Sequence, residues 1–168
     1  MRFKCSSCDQ WHSSIPAWGW RYPFPYHAVP EKERDERCYL TDDLCVVDDE
    51  QFLVTGILEI SIVESSDSVS LQVWVAVNRR DWFEYQELIG ESNRSSFGPY
   101  RGKLDSTIPT YPDTYHLPVS IEVRDKGLRP LVTILPSENP LYSEQKDGAT
   151  VERVARLYRF FEHGDHDA

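Results

Sequence analysis

From Phe52 onward, apolar side chains recur at alternate positions. Val54, Leu58, Ile60 and Ile62 fall on one face, and Thr55, Glu59 and Ser61 on the other. A period of two marks a strand with one buried face, which predicts a strand over 52–63. Gly56 interrupts the apolar face and points to a bulge or a close backbone approach. Ser65-Ser66-Asp67-Ser68 supplies a polar turn, after which Val69, Leu71, Val73, Val75 and Val77 restore the alternation. The two runs predict an antiparallel hairpin. Upstream, Pro30 with Glu31 and Glu33 predicts a short helix over about 30–38. Leu44, Cys45, Val46 and Val47 predict a brief strand, and Asp48-Asp49-Glu50 a turn into the long one.

Downstream, Asn78 is placed to cap a helix in which Trp82, Tyr85 and Ile89 share a face, ending at Gly90. The stretch 91–116 is rich in Ser, Gly, Pro and Asp and predicts loop, with at most a short edge strand near 101–104. Leu117, Val119, Ile121 and Val123 alternate again, Asp125-Lys126-Gly127 turns the chain, and Leu131 to Leu135 returns as a strand with Pro130 at its start or on an edge. Thr150 caps a final helix with the stripe Val151, Val154, Ala155, Tyr158 and Phe161, which Gly164 ends, and 165–168 read as a frayed tail. The segment 11–30 interleaves six aromatics with four prolines and predicts an extended arm with no helix, its rings anchoring it to the core, with a ligand groove lined by them as the competing reading. The expected fold is one α+β domain: an antiparallel sheet of about five strands with helices on one side, preceded over 1–45 by a cysteine-containing arm and a short helix.

Composition adds an aromatic-rich interior, at 12% Phe, Trp and Tyr, and a net charge of −10 from 28 acidic and 18 basic residues. That charge repels phosphate backbones and anionic membrane surfaces, so it argues against nucleic acid and membrane; an acidic surface serves solubility more often than recognition, and a basic protein is the partner it would suit. The N-terminus lacks the apolar run of a signal peptide, and no window approaches the roughly 18 apolar residues of a membrane span. A cytoplasmic protein with reduced thiols is expected.

All four cysteines lie in the first 45 residues, as Cys5-x2-Cys8 and Cys38-x6-Cys45. A C-x2-C turn presents two thiolates on one side of a loop and supplies half of a tetrahedral zinc shell. Cys38 and Cys45 are candidates for the rest, with His12 competing with Cys38 for one place. Inert or oxidisable thiols and a redox-active pair are the competing readings. A zinc ion with four protein ligands has no open position, so it stabilises rather than catalyses. The common motifs of zinc proteases, serine hydrolases, P-loops and dinucleotide folds are missing. His163 and His166 have no evident role.

The sequence resembles the bacterial family known as domain of unknown function 2199. The likeness runs through Phe3-Lys4-Cys5-Ser6-Ser7-Cys8 with His12, Asp43-Leu44-Cys45-Val46-Val47-Asp48, Gly56-Ile57-Leu58-Glu59-Ile60, Val73-Trp74-Val75, Tyr111-Pro112-Asp113-Thr114, Arg129-Pro130, and Asn139-Pro140-Leu141 with Glu144-Gln145. It departs at Asp9, where glycine often follows the second cysteine, and at Asn139, where histidine often precedes the proline. The resemblance implies a shared domain and no activity. The leading expectation is a non-catalytic protein-binding module with structural zinc, of the immunity or antitoxin kind. The alternative is an enzyme or small-ligand binder with a pocket built from Trp74, Tyr111, Asp113, Arg129, Glu144 and Gln145.

Overall fold

The computed structural model describes residues 1–164; the tail expected at 165–168 lies outside the described residues. Two long strands organise the fold. β6 (Gln51–Ser61) and β7 (Ser68–Val77) pair antiparallel along their whole length, with Phe52 opposite Val77 and Ser61 opposite Ser68, as the alternation predicts. β8 (Tyr100–Leu104), β9 (Pro118–Glu122) and β10 (Leu131–Ile134) follow β7 as antiparallel neighbours. β10 then returns to β6, parallel to it at Leu131 and Ile57. The five strands therefore close into a barrel, where a plain antiparallel sheet of five was expected. The segment expected at an edge, 101–104, is an internal strand of that barrel.

Each long strand shares its outer edge between two neighbours. β6 takes β5 (Leu44–Val47) over residues 51–54 and β10 at Ile57, while β7 takes β8 over 75–77 and β3 (Trp18–Gly19) at 71–72. β4 (Cys38–Leu40) adds to β5. The transfer on β6 falls at Gly56: Thr55 N–H donates to Asp43 O, and Ile57 N–H donates to Pro130 O. A Cβ on Gly56 would lie 2.4 Å from Val132 Cγ2 and 3.1 Å from Pro130 O. The glycine is thus the close approach that closes the barrel. Gly56→Ala should cost about 1–3 kcal/mol through overpacking, read as a lower urea midpoint at unchanged slope; a neutral result would place the closure elsewhere.

The interior is filled by Val54, Leu58, Ile60, Leu71, Val73, Val75, Leu104, Val119, Ile121, Val132 and Ile134, all buried. Helix α3 (Arg79–Leu88) is capped by Asn78 Oδ1, which accepts from Asp81 N–H, and it buries Trp82, Tyr85 and Leu88, leaving Ile89 exposed. Helix α4 (Pro140–Asp147) was not expected; Asn139 Oδ1 caps it, Pro140 occupies its first position and Leu141 is buried. Helix α5 (Val151–His163) is capped by Thr150, buries Val154 and Leu157, and ends at Gly164 in the left-handed region, φ 65°. Val151, Ala155, Tyr158 and Phe161 of the expected stripe are half-buried.

The arm covers the opposite face of β6 and β7. There Leu53 and Trp74 form a second cluster with Val29, Cys45 and Val47, and Trp74 Nε1 donates to Trp20 O at 2.9 Å. The arm contains a short helix, α1 (Phe24–Ala28), despite its prolines. Pro25 sits in the first turn, where its missing N–H has no intrahelical acceptor to lose. A 3-10 turn (Glu31–Glu33) and α2 (Arg34–Arg37) follow where a helix over 30–38 was expected. No helix among the described residues is long and apolar enough to cross a membrane.

Candidate metal centre

The N-terminus folds as a hairpin in which β1 (Phe3–Lys4) pairs antiparallel with β2 (Trp11–His12), Phe3 opposite His12. Cys5 and Cys8 occupy the connecting turn, and Cys5 N–H donates to Gln10 O at 2.8 Å, extending the ladder by one rung. Asp9 takes φ 58° in that turn. Aspartate tolerates the left-handed region better than most residues, so the knuckle survives without glycine.

Helix α5 lies against this hairpin. Phe3 meets the Tyr158 ring edge-on at 5.2 Å, Trp18 stacks on Phe161 at 4.9 Å, and Trp18 Nε1 donates to Glu162 Oε1 at 2.6 Å. Arg159 reaches Ser6 Oγ at 2.9 Å. These contacts set the last turn of α5 over the cysteine knuckle. The ligand atoms of Cys5, Cys8, His12 and His163 all lie within 4.8 Å of one another. A tetrahedral zinc shell needs ligand separations of about 3.3–3.8 Å, so the set stands within about 1 Å of closure.

The surroundings suit a metal. Cys8 Sγ is 3.2 Å from His12 Nε2, and His12 Nδ1 is 3.1 Å from the Tyr158 hydroxyl. That leaves Nε2 aimed at the cysteines while an oxygen holds the other ring nitrogen, the arrangement that fixes a ligating histidine. At Cys5, burial opposes the thiolate, but hydrogen bonds from the backbone of Cys8 and Ser7, with their side chains, outweigh it and hold the thiol below its ordinary value. Two sulfurs and two imidazole nitrogens form a donor set of borderline softness that fits zinc.

The grouping differs from the one read in the sequence. Cys38 and Cys45 stand on β4 and β5, opposite Val47 and Leu40, and do not join Cys5 and Cys8. Burial pushes the Cys45 thiol up to about 12, and burial with Asp48 nearby raises Cys38. Cys45 packs as a small apolar side chain beside Leu53 and Trp74. His163 enters instead, 151 residues after His12 (163 − 12), brought in by the docking of α5. Nothing local in the sequence marks it. His166 lies outside the described residues.

The residues expected to form a ligand pocket do not come together as one site: Tyr111 and Glu144 meet, while Trp74 and Arg129 lie elsewhere. Trp74 is fully buried beneath the arm. Glu144 accepts from the Tyr111 hydroxyl at 2.6 Å and pairs with Arg153 at 3.0 Å, and Arg153 lies over the Tyr111 ring at 4.7 Å. Burial and the Glu144 acceptor raise the Tyr111 phenol. Arg129 lies elsewhere, bonded to Asp43 Oδ1 at 2.7 Å and Gln72 Oε1 at 2.6 Å, where it clamps the transfer of β6 between its neighbours. Gln145 accepts from Ile134 N–H and donates to Val132 O, completing the edge of β10. Asp113 Oδ1 accepts from Tyr115 N–H in a local turn.

No curated protein and no solved structure shows significant similarity to the chain. Residues 4–149 match the profile of a family described as uncharacterised proteins conserved in bacteria, a span that includes Cys5, Cys8 and His12 and stops short of His163. With most of its length inside that match, the chain belongs to the DUF2199 family.

Proposed function

We propose that the protein is a non-catalytic binding module whose N-terminal hairpin is locked to its C-terminal helix by one structural zinc ion, held by Cys5, Cys8, His12 and His163. The observation that carries this reading is the convergence of two thiols and two imidazoles from opposite ends of the chain on one point. Four protein ligands leave zinc no position for substrate or activated water, so its contribution is to stability. The hairpin has two paired positions and the one further rung from Cys5 to Gln10, little to offset its ordering entropy without a tie. Cysteine ligands keep zinc best in a reducing compartment, which supports a cytoplasmic protein as part of this reading. The excess of acidic residues suits a basic protein partner, as in an immunity or antitoxin protein.

Elemental analysis of reduced protein tests the metal: about one zinc per chain is expected, and cobalt substitution should give the absorption of a tetrahedral site with sulfur ligands. His163→Ala should open the site and weaken zinc binding about 10-fold or more. Metal-free protein with all thiols reduced would overturn the reading.

A further inference from the structure

A second concave site lies on the other side of the arm, in a pocket of about 150 Å³ between the arm and the loop that follows β8. Four aromatic side chains line it: Trp20, Tyr22 and Phe24 from the arm and Tyr115 from the loop after β8. Phe24 and Tyr115 meet edge to face at 5.8 Å. The Asp105 carboxyl, only 5% exposed, also lines the pocket, and His27 stands at its rim. Phe24 N–H donates to Asp105 Oδ2 at 2.8 Å. Among the described residues, no lysine or arginine forms an ion pair with Asp105.

We infer that this pocket binds a small organic ammonium group, its charge set against the Asp105 carboxylate and its methyl groups against the rings of Trp20, Tyr22, Phe24 and Tyr115. Ring faces carry negative quadrupole, and a cage of them recognises methylated ammonium ions, which are weakly hydrated and cost little to desolvate. The volume sets the size: a cavity of about 150 Å³ accommodates a molecule like benzene, hence a trimethylammonium head and not a sugar or nucleotide. The net charge of −10 draws cations to the surface before they reach the pocket.

Capping alone does not account for Asp105. An amide oxygen would accept from Phe24 N–H equally well and would not have to be desolvated as an ion. Burial pushes the carboxyl up to about 6, against the opposing effect of the Phe24 amide, the Tyr115 hydroxyl and the His116 ring. A charge kept in a costly position with no fixed cationic partner is what an exchangeable cation requires. The inference is independent of the metal centre, so a metal-free result would leave it standing.

Calorimetric titration of the full chain with choline tests it, with 3,3-dimethylbutan-1-ol as the neutral isostere. Choline should bind saturably, and the isostere about 10-fold more weakly or worse. Asp105→Asn keeps an acceptor for Phe24 N–H and should weaken choline binding about 10-fold or more. Phe24 is 63% exposed, so Phe24→Ala should leave the fold intact and weaken binding about 3- to 10-fold. A trimethyllysine derivative with blocked termini distinguishes sources: tighter binding than choline identifies a protein side chain as the ligand, and weaker binding a free small molecule. Equal affinity for choline and the isostere, unchanged affinity in folded Asp105→Asn, or no saturation by about 10 mM would overturn the assignment.

Discussion

Cys8→Ser should lower the melting temperature by about 10 °C or more and release the N-terminal hairpin and the last turn of α5 together, while the barrel stays protected in hydrogen exchange. Cys8 is the better ligand to remove because it is half-buried, whereas the fully buried Cys5 would add the cost of an unsatisfied hydroxyl. Structural zinc shows about 10–16 kcal/mol of apparent binding free energy in small peptides. The stability it lends a protein is set instead by free metal relative to Kd, about 4 kcal/mol at a thousandfold excess. In a domain of this size each kcal/mol corresponds to about 2–4 °C, which gives the expected shift. The barrel has its own closed ladder and a core independent of the knuckle, so loss of the metal opens a local unit and not the whole. A chelator should give the same exchange pattern in the wild type. Loss of protection across β6 and β7 together with the hairpin would show that the metal supports the whole fold and would sink the picture of a local tie.

What the sequence made legible follows from the range of the interactions involved. The β6–β7 hairpin, the Asn78 and Thr150 caps and the close approach at Gly56 are signalled within a few residues of where they act. Barrel closure is not, because it depends on the parallel contact of Leu131 with Ile57, 74 positions apart (131 − 57), between strands whose own patterns look like any half-buried strand. Helix α4 escaped for a different reason. It buries only Leu141, so no apolar stripe betrays it, and the Asn139-Pro140 pair that caps and starts it also reads as a loop. The candidate metal centre was half legible. Cys5-x2-Cys8 with His12 is a local spacing, whereas choosing among Cys38, Cys45 and His163 required knowing which element docks on the knuckle. Asp105, with neither motif nor period around it, gains its chemistry only from the rings that the arm folds over it.

Arg94→Ala should destabilise the protein by about 3–5 kcal/mol, the sum expected for losing three hydrogen bonds from a charged donor and opening a void where the side chain packed. Arg94 is 2% exposed, and among the described residues no carboxylate forms an ion pair with its guanidinium. Its Nε donates to Arg124 O at 2.8 Å, Nη1 to Leu88 O at 3.0 Å and Nη2 to Leu128 O at 2.8 Å. Leu88 is the last residue of α3, so the cation sits at the negative end of that helix, and the other two carbonyls belong to the connection between β9 and β10. One planar fork thereby fastens a helix terminus to the last turn of the barrel, and the ring of Tyr85 lies 5.6 Å beneath it. Asp125 completes the joint by accepting from the backbone N–H of Arg94 and of Ser95, each at 2.7 Å. Alanine would take the charged donor from all three carbonyls, leaving Leu88 O only the Glu91 N–H at 3.0 Å, and open a void beside Tyr85, two costs that act at the same place. Lysine keeps the charge but cannot reach three acceptors in one plane, so Arg94→Lys should recover only part of the loss. Methionine fills the space without donating. If Arg94→Met proved as stable as the wild type in urea, packing alone would account for the residue and the fastening by hydrogen bonds would be refuted; the expected midpoints run in the order wild type, lysine, methionine, alanine.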